Sequence, residues 1–162
     1  MPTAHAKTPA VTPVPEPRGA TPYLTIKGAS DAIAFYQRVF GAELLFRIDD
    51  PSGAVMHAEM QVGPARYMLT EERPQYGAVG PKTIGGSPVT VIVYVPDVDA
   101  AVARALAAGA TATMPLENQF WGDRAGGITD PFGHQWMVAS RIEEPTPQEV
   151  ERRAKAMFGK GA

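Results

Sequence analysis

The chain has 162 residues, a hydrophobic share of 44% and a formal net charge of −2. This length suits one domain or two small packed modules, and the mild charge excludes a broad attraction for nucleic acid or anionic lipid. The chain has no cysteine, which excludes disulfides and thiolate chemistry, and no apolar run of signal-peptide or membrane-span length, so we expect a cytoplasmic location.

Residues 1–20 form a segment of distinct composition. Five prolines stand among alanines and threonines, with few large apolar side chains to bury. Such a composition predicts a disordered or polyproline-like tail.

Residues 21–72 predict a βαβββ module. A short apolar strand precedes a helix over residues 30–40, whose apolar side chains recur at helical spacing. Ser30 is the predicted N-cap and Gly41 the left-handed stop. Three strands follow, at residues 43–49, 54–62 and 66–71, and Gly- and Pro-containing turns separate them.

Residues 88–142 repeat this pattern after a linker of Gly and Pro at residues 73–87. The second helix is capped by Asp97 and ended by Gly109, and the predicted strands after it cover residues 111–114, 125–130 and 135–141. An internal duplication of this kind indicates two copies of one supersecondary unit. The fold class is therefore α+β with two βαβββ modules.

Residues 143–162 predict a C-terminal helix and tail. Thr146, Pro147 and Glu149 have the spacing of a capping box with proline at the first helical position. We expect this helix to pack on the body of the protein or on a partner subunit.

Several motifs resemble the vicinal oxygen chelate superfamily, the group of glyoxalase I, bleomycin-resistance proteins and extradiol dioxygenases. The helix motifs are AFYQRVFG at residues 34–41, PDVDAAV at 96–102 and AAGA at 107–110. The sequences MHAEM at 56–60, GGSP at 85–88, WGDR at 121–124 and DPFGHQW at 130–136 resemble its PhnB-like branch. The resemblance covers residues 21–142.

The resemblance implies a half-open barrel around a concave site, a homodimer, and in some members a metal held by four His, Gln or Glu side chains. The corresponding positions here are Thr21, Met68, Thr90 and Met137. Hard divalent ions need several oxygen or nitrogen ligands, and thioethers are poor ligands for them. We therefore expect neither a metal nor a cofactor.

His57 and Glu59 form the strongest polar pair. They alternate on one face of a predicted strand with Val55 and Gln61, while Met56 and its apolar neighbours are expected on the other face. The pair is open to three interpretations: general acid/base catalysis, two ligands of a relocated metal, or a hydrogen-bonded pair that only supports a cavity wall.

The remaining candidates line or cover the expected cavity. Strand alternation predicts inward side chains at Tyr23, Thr25, Met68, Thr70, Thr90, Ile92, Tyr94 and Met137. These would form either an apolar ligand pocket or a filled core. Phe120, Trp121 and Arg124 could close over a ligand; alternatively, Asp123 pairs with Arg124 while Trp121 packs at a dimer seam. We expect the His134 ring to bond backbone or a carboxylate, and Trp136 to be core.

Three hypotheses for function remain open. The first is a metal-free protein that binds an unidentified small molecule, and sequesters it or acts on it through His57 and Glu59. The second is a metal-dependent lyase, isomerase or dioxygenase with a relocated site near the same pair. The third is a structural or regulatory dimer. Whether the protein is an enzyme stays undecided, since one fold supports many chemistries.

Overall fold

The computed structural model describes residues 19–159, so the predicted N-terminal tail lies almost wholly outside the described residues. Four helices and eight strands follow one another in the order β1 (Tyr23–Ile26), α1 (Ala29–Phe40), β2 (Glu43–Asp49), β3 (Val55–Val62), β4 (Ala65–Glu71), α2 (Pro81–Ile84), β5 (Thr90–Tyr94), α3 (Val98–Ala107), β6 (Thr111–Asn118), β7 (Asp123–Thr129), β8 (Gln135–Arg141) and α4 (Pro147–Phe158). The predicted linker also contains a 3₁₀ turn at Pro74–Tyr76.

The strands form two four-stranded sheets with matching topology. The first sheet has the order β1-β4-β3-β2 and the second has the order β5-β8-β7-β6. In each sheet the first and last strands of the module run parallel, and the other neighbours run antiparallel. The predicted α+β class and the repeated module are confirmed, and the two sheets are not closed into a barrel.

The start of α1 differs from the prediction, because its cap comes from a distant strand. Gly28 is the N-cap residue, with a left-handed φ of 89°. The carboxylate of Glu71 accepts hydrogen bonds from the backbone N–H groups of Gly28 and Ala29, at 2.9 and 2.8 Å. Ser30 instead accepts a bond from Arg47, so its prediction as the N-cap was wrong.

The second module uses a related arrangement. The Ser140 hydroxyl accepts a bond from the backbone N–H of Val98 at 3.1 Å. The predicted cap Asp97 is confirmed, since its carboxylate accepts from the N–H of Ala100 at 3.0 Å. In both modules the end of the last strand therefore fixes the start of the helix.

One hydrophobic core joins the two modules. The rings of Tyr36, Tyr67 and Trp136 are fully or almost fully buried and lie 5.1 to 5.8 Å from one another. The buried Asp130 carboxylate accepts bonds from the Tyr36 hydroxyl at 2.7 Å and the Trp136 indole at 2.8 Å. Burial, with the nearby Asp130 charge, raises the pKa of Tyr36 and of Tyr67. The prediction of Trp136 as core is confirmed.

The predicted strand bounds were least accurate in the second module. β6 extends to Asn118 rather than residue 114, with irregular pairing around Met114. β7 begins at Asp123, two residues earlier than predicted.

The C-terminal helix α4 lies against the loop before β7. Thr146 caps it by accepting from the N–H of Glu149 at 3.2 Å, as predicted. The rings of Phe120 and Phe158 lie 6.0 Å apart, while the side chains of α4 are half-buried or exposed. No helix within residues 19–159 is long and apolar enough to cross a membrane.

Candidate functional site

The face of the first sheet that points away from α1 carries most of the predicted site, and we call it the open face. Residues on the opposite face, such as Leu24, Ala58 and Leu69, are buried. The open face holds the predicted residues Tyr23, Thr25, His57, Glu59, Met68 and Thr70 together with Phe46, Ile48 and Gln61. Tyr23, Met68, Glu59 and Phe46 form one row across all four strands.

Three polar side chains lie close together on the open face. The Tyr23 hydroxyl is 3.2 Å from Nδ1 of His57, and Oε1 of Glu59 is 3.5 Å from Nε2 of the same ring. The His57 ring also lies near Phe46, with 6.2 Å between ring centroids. The structure thus brings His57 and Glu59 together as predicted and adds Tyr23, which is 34 residues away in sequence.

Two other predicted hydroxyls, one on each sheet, lie within hydrogen-bond distance of other groups of the protein. The Thr70 hydroxyl donates to the Met56 carbonyl at 2.9 Å. In the second sheet, the Thr90 hydroxyl lies 3.3 Å from the side-chain oxygen of Gln135.

A bulge reverses the predicted faces at the start of β3. The pairing of β2 with β3 shifts between Ile48 and Asp49. As a result Val55 is fully buried and Met56 is exposed, the opposite of the predicted arrangement. An extra residue in one strand moves the following side chains to the other face.

A cleft with a volume of about 330 Å³ lies beside Tyr23. Its walls come from the start of β1, from the residues around β5 and from His134: Pro22, Tyr23, Leu24, Ser87, Val89, Val91 and His134. The His134 ring bonds the backbone carbonyl of Thr25 through Nε2 at 3.1 Å. The expected bond to backbone is present, but it joins the two modules rather than staying local.

The second sheet places its polar groups at the strand ends, in what we call the Asp123 cluster. Asp123 is buried, and its Oδ2 accepts from the Tyr94 hydroxyl at 2.8 Å and from the Trp121 indole at 2.9 Å. The Arg141 guanidinium lies 2.6 Å from Oδ1 and stacks over the Tyr94 ring. Asp123 is therefore paired with Arg141, not with Arg124 as one alternative had it.

The structure separates the predicted covering residues. Arg124 lies on the helix side of β7, where it forms a two-pronged ion pair with Asp99 of α3 at 2.7 and 2.8 Å. Phe120 and Trp121 contact each other edge to face at 4.9 Å, next to α4. The structure does not bring Arg124 to the face that carries Tyr94 and Met137.

The positions that would hold the family's metal offer weak donors. The β1 residue directly beside Met68 is Tyr23 rather than Thr21, and the β5 residue beside Met137 is Ile92 rather than Thr90. These six side chains supply hydroxyls, thioethers and an alkyl group, which do not fit a hard divalent cation. Within residues 19–159, no three His, Cys, Asp or Glu side chains are grouped closely enough to hold a metal.

Sequence reasoning missed two residues next to the site and one in the Asp123 cluster. Phe46 and Ile48 lie beside Glu59 and His57, because the pairing of β2 with β3 places them there. Arg141 shares the strand parity of Met137, and that alternation could have identified it. The bulges in β2 hid the other two, since they break a simple period of two.

Comparison with known proteins gives matches across both modules. The model of the Glyoxalase/Bleomycin resistance protein/Dioxygenase superfamily matches residues 21–138. The protein Rv0887c of Mycobacterium tuberculosis H37Rv is 40% identical over 134 residues, 81% of this chain and 79% of that protein. The crystal structure of TioX from Micromonospora sp. ML1 has a TM-score of 0.57 and 29% identity, and covers 80% of this chain and 100% of TioX. The PhnB protein of Bacillus cereus shares the fold, with a TM-score of 0.58, 19% identity and coverage of 76% and 99%.

Proposed function

Because the chain belongs to the glyoxalase/bleomycin resistance protein/dioxygenase superfamily, we propose that it is a PhnB-like small-molecule binding protein whose ligand lies on the open face of the first sheet. One observation carries this proposal: exposed Tyr23, Phe46 and Ile48 surround the half-buried polar pair of His57 and Glu59. Apolar walls with a few convergent polar groups are the usual composition of a small-molecule site.

The polar pair gives the site an acid/base group. A neutral imidazole has one donor and one acceptor nitrogen, and a neighbouring carboxylate stabilises the ring when it takes up a proton. His57 with Glu59 at 3.5 Å therefore supports proton transfer to or from a bound ligand. The same contact also fits the alternative in which the pair only supports the cavity wall.

The protein works without a divalent metal in this proposal, because the donors at the family's positions are unsuitable. Titration with Zn²⁺, Mn²⁺, Ni²⁺ or Fe²⁺ should leave the unfolding temperature unchanged. An ion bound at a hundred times its dissociation constant would add about 2.7 kcal/mol to the free energy of unfolding. A rise in the unfolding temperature that disappears in His57→Ala would instead favour the metal-dependent alternative.

A homodimer is the second part of the proposal. Ile92 and Tyr94 on the second sheet are about half exposed in the single chain. Exposed apolar surface of this kind often marks a protein–protein interface. Sedimentation equilibrium of the purified protein measures the mass directly, and a monomer at micromolar concentration would contradict this part. The cytoplasmic location stays a prediction.

Native mass spectrometry of protein purified from its own host tests the binding function. The wild-type protein should retain a small molecule, and Phe46→Ser should lose it because the substitution removes an apolar wall of the site. Tyr76→Ser is the matched control, since Tyr76 is exposed in the loop after β4. Equal retention by both variants would contradict the location, and retention of a metal ion would favour the metal-dependent alternative.

A further inference from the structure

We propose that Tyr23 is the residue that exchanges a proton with the ligand, as the exposed end of a relay formed by Glu59, His57 and Tyr23. The inference rests on the proposed function, because it requires a ligand on the open face of the first sheet. It adds the role of Tyr23 and the chemical class of the ligand.

Both nitrogens of the His57 ring are engaged by protein groups. Nδ1 lies 3.2 Å from the Tyr23 hydroxyl, and Nε2 lies 3.5 Å from Oε1 of Glu59. A protein group therefore lies beside each nitrogen. The Tyr23 hydroxyl, hydrogen-bonded to Nδ1, gives a ligand an indirect route to the imidazole.

Exposure distinguishes the three members in the same way. The side chains of His57 and Glu59 are 26% and 24% exposed, whereas Tyr23 is 56% exposed. Tyr23 also lines the cleft of about 330 Å³. The tyrosine is thus the most exposed member of the group, on the edge strand β1 where the open face adjoins this cleft.

The aromatic neighbours hold the imidazole in place. The Tyr23 ring meets the His57 ring edge to face, with 5.5 Å between centroids and an angle of 74°. Phe46 lies 6.2 Å from the same ring. An orienting carboxylate, a base and a hydroxyl in sequence are the arrangement that activates a hydroxyl group.

The direction of proton movement follows from the donors present. An ionised Glu59 carboxylate favours a proton on Nε2 of His57, and in that tautomer Nδ1 accepts the Tyr23 O–H. When a ligand gives a proton to the Tyr23 oxygen, the tyrosine proton moves to Nδ1. The products are a ligand anion and an imidazolium beside Glu59, so one proton is transferred and no further reactant is needed.

This relay fits a ligand with a weakly acidic hydroxyl, that is, a phenol or an enol. The flat ring of Phe46 and the apolar side chain of Ile48 suit the body of such a molecule, and a phenol-like oxygen would replace water at the Tyr23 hydroxyl.

Acetylation by N-acetylimidazole tests the relay without the natural ligand. The Tyr23 oxygen attacks the acetyl carbon, its proton passes to His57, the bond to imidazole breaks, and the departing imidazole takes a proton from water. Tyr76 is the internal control, because it is 80% exposed and lies in the loop after β4. We expect Tyr23 to react at least about tenfold faster than Tyr76, since a positioned base contributes about a hundredfold or more.

Substitution of His57 and of Glu59 tests whether the Tyr23 rate depends on the relay. His57→Gln should reduce the Tyr23 rate to that of Tyr76 or below, and Glu59→Gln should reduce it partly. Nitrogen-15 NMR of the wild-type protein provides a second measurement, in which His57 should carry its proton on Nε2. A proton on Nδ1, or a Tyr23 rate no faster than that of Tyr76, would overturn the relay. Ligand retention in the Phe46→Ser experiment tests the proposed function separately.

Discussion

The two modules share one backbone topology, but the sheet faces that point away from the helices carry different side chains. In the first module, Glu59 lies beside Met68 in the row that begins with Tyr23. In the second module, Gly127 lies beside Met137 in the row that begins with Ile92. His57 lies two residues before Glu59, and Ala125 lies two residues before Gly127. The pair of His57 and Glu59 therefore has no counterpart in the second module.

Packing explains why the second module could not carry such a pair. A Cβ atom on Gly127 would lie 2.7 Å from the Thr113 hydroxyl oxygen and 2.8 Å from Cβ of Met114. Strand β6 thus packs tightly against β7 in the second sheet. In the first sheet, β2 leaves space for the His57 and Glu59 side chains. The two copies of one unit thus differ: the first has a polar pair on its open face, and the second is closely packed at the equivalent positions.

The polar groups of the second module bind one another in a cluster around Asp123. Asp123 is buried and engages Tyr94, Trp121 and Arg141 at once. A buried carboxylate with several donors holds a structure in one conformation. The second module thus uses this polar cluster for structure, whereas the His57 and Glu59 side chains of the first module stay partly exposed.

The largest expected effect concerns the core position that the two modules share. Trp136 is fully buried, and Trp136→Ala should lower the free energy of unfolding by about 3–5 kcal/mol, as for other buried aromatic residues. Trp121→Ala is the matched control, because Trp121 is half-buried, and should cost less. Urea denaturation measures both.

Two buried tyrosines should respond differently to loss of the hydroxyl. The Tyr36 hydroxyl donates to the Asp130 carboxylate at 2.7 Å, so Tyr36→Phe should cost about 1.5–3 kcal/mol, as for hydrogen bonds to charged groups. The Tyr67 hydroxyl finds no hydrogen-bond partner among residues 19–159. Tyr67→Phe should therefore be neutral or slightly stabilising in the same assay. Equal losses for both variants would show that Tyr67 has a partner, such as a buried water.

Equivalent positions in the two sheets offer a direct comparison. Gly127→Ala forces a methyl group against Thr113 and Met114, and such overpacking should cost about 1–3 kcal/mol. Glu59→Ala in the first module should change stability by about 0.5 kcal/mol or less, because that side chain is partly solvated. Thermal unfolding of both variants checks the contrast. A larger loss for Glu59→Ala would mean that the polar pair is structural.

The smallest effect concerns α4, which contacts the loop before β7. Hydrogen bonds from Arg152 and Arg153 lower the pKa of Glu149 to about 2. The pKa of a glutamate in an unfolded chain is about 4.3. This carboxylate therefore stabilises the helix above that pH, and its contribution is lost as the pH falls towards 2. Trp121 fluorescence should change in that window and change less in Glu149→Gln. Glu143 also pairs with Arg153 and titrates in acid, so Glu143→Gln is the control.

Much of the fold could be predicted from short-range patterns. The apolar spacing of residues 30–40 identified α1, which begins one residue earlier at Ala29. Gly41 and Gly109 have the left-handed φ values that end the helices, at 66° and 96°. Helical periodicity and turn chemistry depend on neighbours a few residues apart, so one sequence contains the necessary information.

The sequence also predicted that His57 and Glu59 share a face, since strand residues two apart do so wherever no bulge intervenes. Tertiary structure decided their partners. Tyr23 reaches His57 through the pairing of β1 with β4 and β4 with β3, and Phe46 reaches it through a β2 register set by bulges. Strand order and register are fixed by the packing of the whole sheet. Glu71 at the start of α1, Arg141 on Asp123 and Arg124 on Asp99 were likewise decided by contacts between residues distant in sequence.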